Sequence, residues 1–294
     1  MLKESNITLV VACNDHFAVM MGALIQSIIQ NHKNDQQIDL YIVNDNISVK
    51  NQDRINSSAG NSSLKITWLD SKIIFQNIHL PVDNSSFPRT VYMRLFIPSF
   101  LPIEVKKAIY LDVDMIVCED ISKLWEIDLG EFPAAAVRDR SDVVSSEWGG
   151  LPNYKELGLH PNTPYFNTGL IMFNMDIWRM EGISQRIIDE VEKNIQYAGF
   201  PDQYGLNAIL ADRCLELDFR WNCFSMLNEK KPYIIHFIGN KPIYLSYSEN
   251  PQYGEEFFKY VKLSAWNNFR PYSGYWRYIN KALNKLKNKM YKFN

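Results

Sequence analysis

The chain has 294 residues, 46% hydrophobic and 13% aromatic, which suits one large α/β domain or one domain with a small appendage. Its formal net charge is -2, yet residues 274–294 hold one Arg and five Lys and no acid, so the remainder is acidic and the basic character gathers at one end. Cys13, Cys118, Cys214 and Cys223 show no CxxC spacing, which argues against a disulfide framework or a structural zinc, and no apolar run is long enough to span a membrane.

The opening "MLKESNITLVVACNDH" has too short an apolar run for a secretory signal, so an intracellular chain is expected. "NITLVVAC" reads as a buried strand. "FAVMMGALIQSIIQNH" reads as a helix, with Met20, Leu24 and Ile28 beside Met21 and Ile25 at helical spacing. "QIDLYIVND" is a second strand, "SVKNQDRINSSAG" a polar helix and "LKITWLD" a third strand. This βαβαβ run with short connections predicts a parallel sheet covered by helices. "RTVYMRLFIP" predicts a helix stopped by Pro98, and "KKAIYLDVD" a fourth parallel strand. "FPAAAVRD" is a further strand, "LPNYKELGLHPNTPYFN" a loop, and "TGLIMFNMDIWR" a strand with a turn. "GISQRIIDEVEKNIQ" is an amphipathic helix, "PDQYGLNAILAD" a helix opened by Pro201 and Asp202, and "YIIHFIG" a late strand. No linker or sharp boundary appears before about residue 250, which sets a domain over 1–250 and a helical segment over 251–294.

In open α/β sheets, ligands gather at the carboxyl ends of the strands. Asn14, Asp15, Asp112, Asp114 and His236 all follow or end predicted strands. If the strand continues past Leu111, Asp112 and Asp114 share one face, and two carboxylates at that spacing suit magnesium or manganese. Acidic pairs near strand ends are common, and the same pair is also readable as solvated, or as capping "EDISKLW". His236 is readable as a satisfied core histidine or as a third metal ligand. Gly239 and Lys241 after it suit a phosphate. An Asp-Asp-His site beside a lysine is a coherent diphosphate clamp; no P-loop and no GxGxxG is present.

Several stretches together resemble retaining glycosyltransferases of family 8, the group with bacterial lipopolysaccharide galactosyl- and glucosyltransferases and the glycogenins. They are "VVACNDHF", "TVYMRLFIPSFLP", "IYLDVDMIV", "LWEIDLG", "YFNTGLIMFNMDIWR", "PDQYGLNAIL" and "IIHFIGNKP", in this order from about residue 7 to 245. The resemblance implies a GT-A type fold, a Rossmann-like mixed sheet flanked by helices. It implies a UDP-galactose or UDP-glucose donor and Mn2+ (or Mg2+) held by Asp112, Asp114 and His236. It places Ala12, Asn14 and Phe17 in the uridine pocket, Arg94, Asp112, Val113 and Asp139 on the donor, and Asn167 and Thr168 on a sugar-facing loop. Asp202 and Gln203 fall next to the anomeric carbon, Gly239 and Lys241 on the diphosphate. Three departures stand out: Asn14 and Phe17 replace the usual acid and tyrosine, "DQY" with Tyr204 replaces "DQD", and "HFIGNKP" is one residue short with Ile243 in place of Trp.

The metal and Lys241 are expected to stabilise charge on the departing UDP. Retention needs either a nucleophile beneath C1 or attack by the acceptor on the leaving-group face. Gln203 is a poor nucleophile whose amide oxygen suits an oxocarbenium-like centre, and Asp202 either orients the sugar or attacks; front-face transfer is the favoured route. In the tail, Ile279, Leu283, Leu286, Met290 and Phe293 make one apolar stripe among Lys281, Lys285, Lys287, Lys289 and Lys292. That is the pattern of a helix lying on an anionic membrane, with docking on the parent domain or on a second copy in a homodimer as the alternative. A nucleic-acid partner leaves the stripe unexplained. The expected acceptor is a surface glycan or glycolipid, and the expected location is cytoplasmic, on the inner face of the cell membrane. Rival readings are a catalytically impaired UDP-sugar-binding protein and a nucleotide-sugar hydrolase or nucleotidyltransferase.

Overall fold

The computed structural model describes residues 6–76, 78, 80, 81 and 89–273, without the side chains of residues 89 and 90. The amphipathic stripe predicted for the tail lies outside these residues. In chain order the elements are β1 (Ile7–Asn14), α1 (Ala18–Asn31), β2 (Ile38–Asp45), α2 (Val49–Ala59), β3 (Leu64–Asp70) and α3 (Ser71–Phe75), then α4 (Ile97–Phe100), β4 (Lys107–Leu111), β5 (Met115–Val117) and α5 (Ile121–Trp125). Next come β6 (Ala134–Val143), β7 (Pro164–Asn174), α6 (Met175–Met180), α7 (Ile183–Lys193) and α8 (Pro201–Ile209). The last are β8 (Cys214–Glu216), β9 (Cys223–Phe224), β10 (Ile234–His236) and α9 (Pro251–Leu263). The chain divides into two compact units that alternate along the sequence. Among the described residues, unit 1 draws on 6–74, Ile109–Asp128 and 219–273; unit 2 draws on 75–108 and Leu129–Asp218.

Unit 1 contains the parallel strands in the order β3-β2-β1-β4. Strand β1 is buried along most of its length, as its near-continuous apolar run requires of a strand covered on both faces. Helix α1 buries Met20, Leu24 and Ile28 with Met21 and Ile25, the set its periodicity named. Its glycine has a packing reason: a Cβ on Gly22 would stand 2.7 Å from the Trp266 ring. The C-terminal end of α1 is tied down by Asn31, whose Nδ2 donates to Val117 O (2.9 Å) and Tyr260 Oη of α9 (2.8 Å). A small second sheet, β5-β10-β9, completes the unit.

Unit 2 contains β7-β6-β8, with β6 antiparallel to β7 and parallel to β8. Helices α7 and α8 pack closely, α7 through buried Ile183, Ile187, Ile188 and Val191. Arg179 of α6 donates from its guanidinium to the carbonyls of Pro98, Leu101, Pro102, Ile103 and Val105, closing the turn after α4.

Four local expectations are corrected. Pro98 does not stop a helix: a 3-10 segment, Arg89–Phe96, ends there, and Pro98 sits in the first turn of α4, where a missing N–H costs nothing. "MDIWR" is the helix α6, capped by Asn174 Oδ1 on Ile177 N, rather than a turn. The strand before the paired aspartates ends at Leu111, so the two carboxylates lie in the turn between β4 and β5 and not on one strand face. Asn167 and Thr168 stand within β7, not on a loop. All four cysteines are free, and no helix among the described residues is long and apolar enough to cross a membrane.

Candidate functional site

In unit 1, antiparallel pairing puts His236, the last residue of β10, opposite Met115, the first of β5. The register therefore delivers the imidazole to the turn that carries Asp112 and Asp114. Phe237 N donates to Asp114 O at 2.9 Å and locks the two segments together. His236 Nε2 lies 3.7 Å from Asp112 Oδ2 and 3.4 Å from Asp114 Oδ1. One ligand atom from each of the three residues falls within 4.8 Å of the others.

The ring orientation is set from behind. His236 Nδ1 is 2.8 Å from Asn222 Oδ1, an acceptor, so the proton sits on Nδ1 and the Nε2 lone pair points at the carboxylates. Tyr110 donates its hydroxyl to Asp112 Oδ1 at 2.6 Å. Lys241 Nζ pairs with Asp114 and donates to Phe237 O at 2.9 Å. Burial alone would raise the Asp114 carboxyl, but the Lys241 ammonium beside it outweighs that and holds it well below the usual carboxylate range. Two carboxylates and an imidazole lone pair converge there, and Lys241 offsets only one of the two negative charges. The donor set, hard oxygens with one imidazole, fits magnesium or manganese.

The neighbouring turn follows from Gly239, whose φ of 77° is left-handed. Glu249 Oε1 accepts from Asn240 N at 3.2 Å and fixes that turn. The one-residue shortening of this segment thus leaves the lysine within reach of the aspartate. At the end of β1, Asn14 Oδ1 caps a 3-10 turn by accepting from Phe17 N at 3.3 Å, and Ala12 is half-buried just before it. His16 stacks against both Tyr244 and Tyr272, with ring centroids 5.8 and 5.4 Å away, and its Nε2 is 2.7 Å from Tyr244 Oη.

Unit 2 gathers a second cluster: Arg94, Asp139, Asn167, Thr168, Asp202 and Gln203. Asn167 Nδ2 donates to Asp139 Oδ2 at 2.8 Å, and Thr168 N donates to Gln203 Oε1 at 3.3 Å. Thr168 Oγ1 donates to Asp202 Oδ2 at 3.0 Å. Arg94 Nε lies 3.4 Å from the same oxygen while its Nη1 donates to Thr168 O at 2.7 Å. Both partners of this ion pair are buried, so removing either leaves an uncompensated charge. Pairing between β6 and β7 shifts register on both sides of Arg138↔Phe166. Asp139 on β6, and Asn167 with Thr168 on β7, stand in those irregular stretches, where a bulge re-aims side chains. The first turn of α8 presents Asp202 and Gln203, with Pro201 at its start.

The structure thus divides the residues picked out from the sequence into two groups. Ala12, Asn14, Phe17, Asp112, Val113, Asp114, His236, Gly239 and Lys241 belong to unit 1, and the other six to unit 2. Sequence reasoning missed Asn222, Tyr110, His16 and Tyr244. Tyr110 and His16 lie inside the quoted stretches "IYLDVDMIV" and "VVACNDHF", whereas Asn222 and Tyr244 become meaningful only once the fold brings them to His236 and His16.

A model of glycosyl transferase family 8 matches residues 8–242. General stress protein A of Bacillus subtilis (strain 168) is 28% identical over 289 residues, 90% of this chain and 97% of that protein. Glycosyltransferase GlyA of Streptococcus pneumoniae is 32% identical over 138 residues, covering 47% of this chain but 17% of its own length. Among solved structures, the galactosyltransferase LgtC, in complex with donor and acceptor sugar analogs, superposes with a TM-score of 0.70 at 20% identity, over 92% of this chain and 99% of that one. The WbbM bifunctional enzyme gives 0.75 at 22% identity over 91% of this chain, which spans about half of WbbM (51%). The family match covers most of the sequence and the mixed sheet matches the GT-A fold of these structures: the chain belongs to glycosyl transferase family 8.

Proposed function

We propose that the protein is a metal-dependent, retaining glycosyltransferase that moves galactose or glucose from a UDP-sugar to a bacterial surface glycan or lipid-linked acceptor. The observation that carries this reading is the convergence of Asp112, Asp114 and His236 on one point, with Lys241 beside them. These three residues would hold Mn2+ or Mg2+, which when bound supplies Lewis-acid neutralisation of the leaving diphosphate. Lys241 adds a fixed positive charge at the same place, with no reorganisation needed as the bond breaks.

In unit 2, Asp202 is engaged by Arg94 and Thr168, which suits a carboxylate that orients the sugar better than one that attacks it. Gln203 Oε1, which accepts from Thr168 N and Asn167 Nδ2 (3.3 Å each), would stabilise developing positive charge at C1. Front-face attack by the acceptor, with the departing phosphate taking its proton, fits this division of labour. The galactosyltransferase named among the structural neighbours supports the hexose donor. The lysine-rich stripe of the tail supports a lipid-linked acceptor and a peripheral place on an anionic membrane.

The test is UDP release from a panel of UDP-sugars, with manganese and with EDTA, in wild type and D114A. Manganese-dependent release from one donor, reduced at least 100-fold in D114A, is expected. Release that is insensitive to both chelation and the substitution would remove the metal site from the reaction.

A further inference from the structure

Unit 2 carries a second built feature beside its polar cluster. Trp148 is 56% exposed, and one face of its indole is covered by the Arg140 guanidinium, 4.2 Å from the ring centroid. The stretch that presents it, "SSEWGG", is held in one shape. Ser141 Oγ donates to Trp148 O at 2.7 Å, and Leu151 N donates to Val144 O at 2.8 Å. Gly149 has a φ of 77°, and a Cβ there would meet Ser141 Oγ at 2.5 Å. A Cβ on Gly150 would meet the carbonyls of Ser146 and Val144 at 2.5 and 2.6 Å. Neither position admits a side chain without moving the turn, so the tryptophan is displayed by design of the backbone.

The turn is joined to the polar cluster at two points. Ser141 N donates to Asp139 Oδ1 at 3.2 Å, and the other carboxylate oxygen of Asp139 accepts from Asn167. Five residues beyond Trp148, Asn153 Oδ1 accepts from the hydroxyl of Tyr204 at 3.0 Å, and Tyr204 directly follows Gln203 on α8. Tyr204 is 2% exposed, so the "DQY" departure supplies an internal strut and not a group facing a ligand.

We infer that the outer face of Trp148 is an acceptor subsite, a platform on which a hexopyranose ring of the acceptor stacks. The apolar C–H face of a pyranose matches one indole in area. A rigid aromatic backed by a cation is a low-entropy anchor. The turn's hydrogen bonds to Asp139, through Ser141, and to Tyr204 beside Gln203, through Asn153, favour a sugar in the reaction path over an unrelated partner. The inference rests on the glycosyltransferase reading above.

The test uses methyl α- and β-glycosides of glucose, galactose and N-acetylglucosamine, with lactose, as probes of the full chain. Each is titrated against tryptophan fluorescence and against manganese-dependent UDP release, in wild type, W148A and W148F. At least one glycoside is expected to perturb the fluorescence and accelerate UDP release in wild type. Its half-saturating concentration in the release assay should rise at least tenfold in W148A and stay within about threefold in W148F, which keeps a ring. Equal half-saturation in wild type and W148A overturns the platform, as does a wild type that releases UDP but responds to no glycoside. Should wild type release no UDP from any donor, the transferase reading fails by itself. Fluorescence then decides the platform: a glycoside response lost in W148A upholds it, and no response overturns it.

Discussion

Asn222 stands 14 residues before His236 and touches no proposed substrate, yet it decides which nitrogen of that ring faces the carboxylates. With Asn222 Oδ1 accepting from Nδ1, Nε2 is left as the ligand atom. An alanine there frees the ring to turn and to place its proton on Nε2, the wrong tautomer for a cation. Loss of such an orienting partner commonly weakens metal binding about 10–100-fold. N222A is therefore expected to raise the half-saturating Mn2+ concentration for UDP release by that factor, with the plateau rate recovering at high metal. Mn2+ titration followed by the free-ion EPR signal reads the affinity without turnover. An unchanged affinity would mean that the backbone register of β5 and β10 alone orients His236.

At the scale of elements, the strands and helices of the βαβαβ run were legible because apolar periodicity speaks for burial: β1 and α1 are buried along most of their length and β2 at alternate positions, while β3, at the sheet edge, buries only Leu64. The metal ligands were legible in kind, but their convergence rests on the His236↔Met115 pairing, which no local pattern encodes. The irregular pairing of β6 and β7 was illegible for the same reason: Asn167 and Thr168 read as loop because a strand was not expected to break register there. The close packing of α7 on α8 is a further case. A Cβ on Gly205 would lie 2.6 Å from Ile187 Cγ2 and 2.7 Å from Val191 Cγ2, both on stiff β-branched side chains, and 3.1 Å from Ile187 O. G205A gains about 1 kcal/mol of helix propensity. Overpacking of this kind costs roughly 1–3 kcal/mol. The variant is expected to unfold at lower urea than wild type and to lose UDP-release rate, because α8 must shift with Asp202 and Gln203 on its first turn. Wild-type stability in G205A would show that α7 yields instead.

For the whole chain, charge is unevenly laid out: a net -2 overall, against six cations and no acid in residues 274–294. Near an anionic leaflet each Lys or Arg contributes about 1 kcal/mol of attraction, fading over a Debye length. The apolar stripe Ile279, Leu283, Leu286, Met290 and Phe293 adds a contribution that salt does not screen. The two contributions make separable predictions. Replacing Lys281, Lys285, Lys287, Lys289 and Lys292 by Gln in the full chain should weaken sedimentation with phosphatidylglycerol vesicles roughly 100-fold or more at low salt. Raising salt should weaken the wild type towards that variant and leave the variant almost unmoved. Phosphatidylcholine vesicles should hold both proteins equally and poorly. If the five-Gln variant sediments like wild type, the lysines do not face lipid, and the stripe is then better assigned to a contact with this domain or a second copy. Dilution separates those two outcomes, since only a contact between copies loosens with falling concentration.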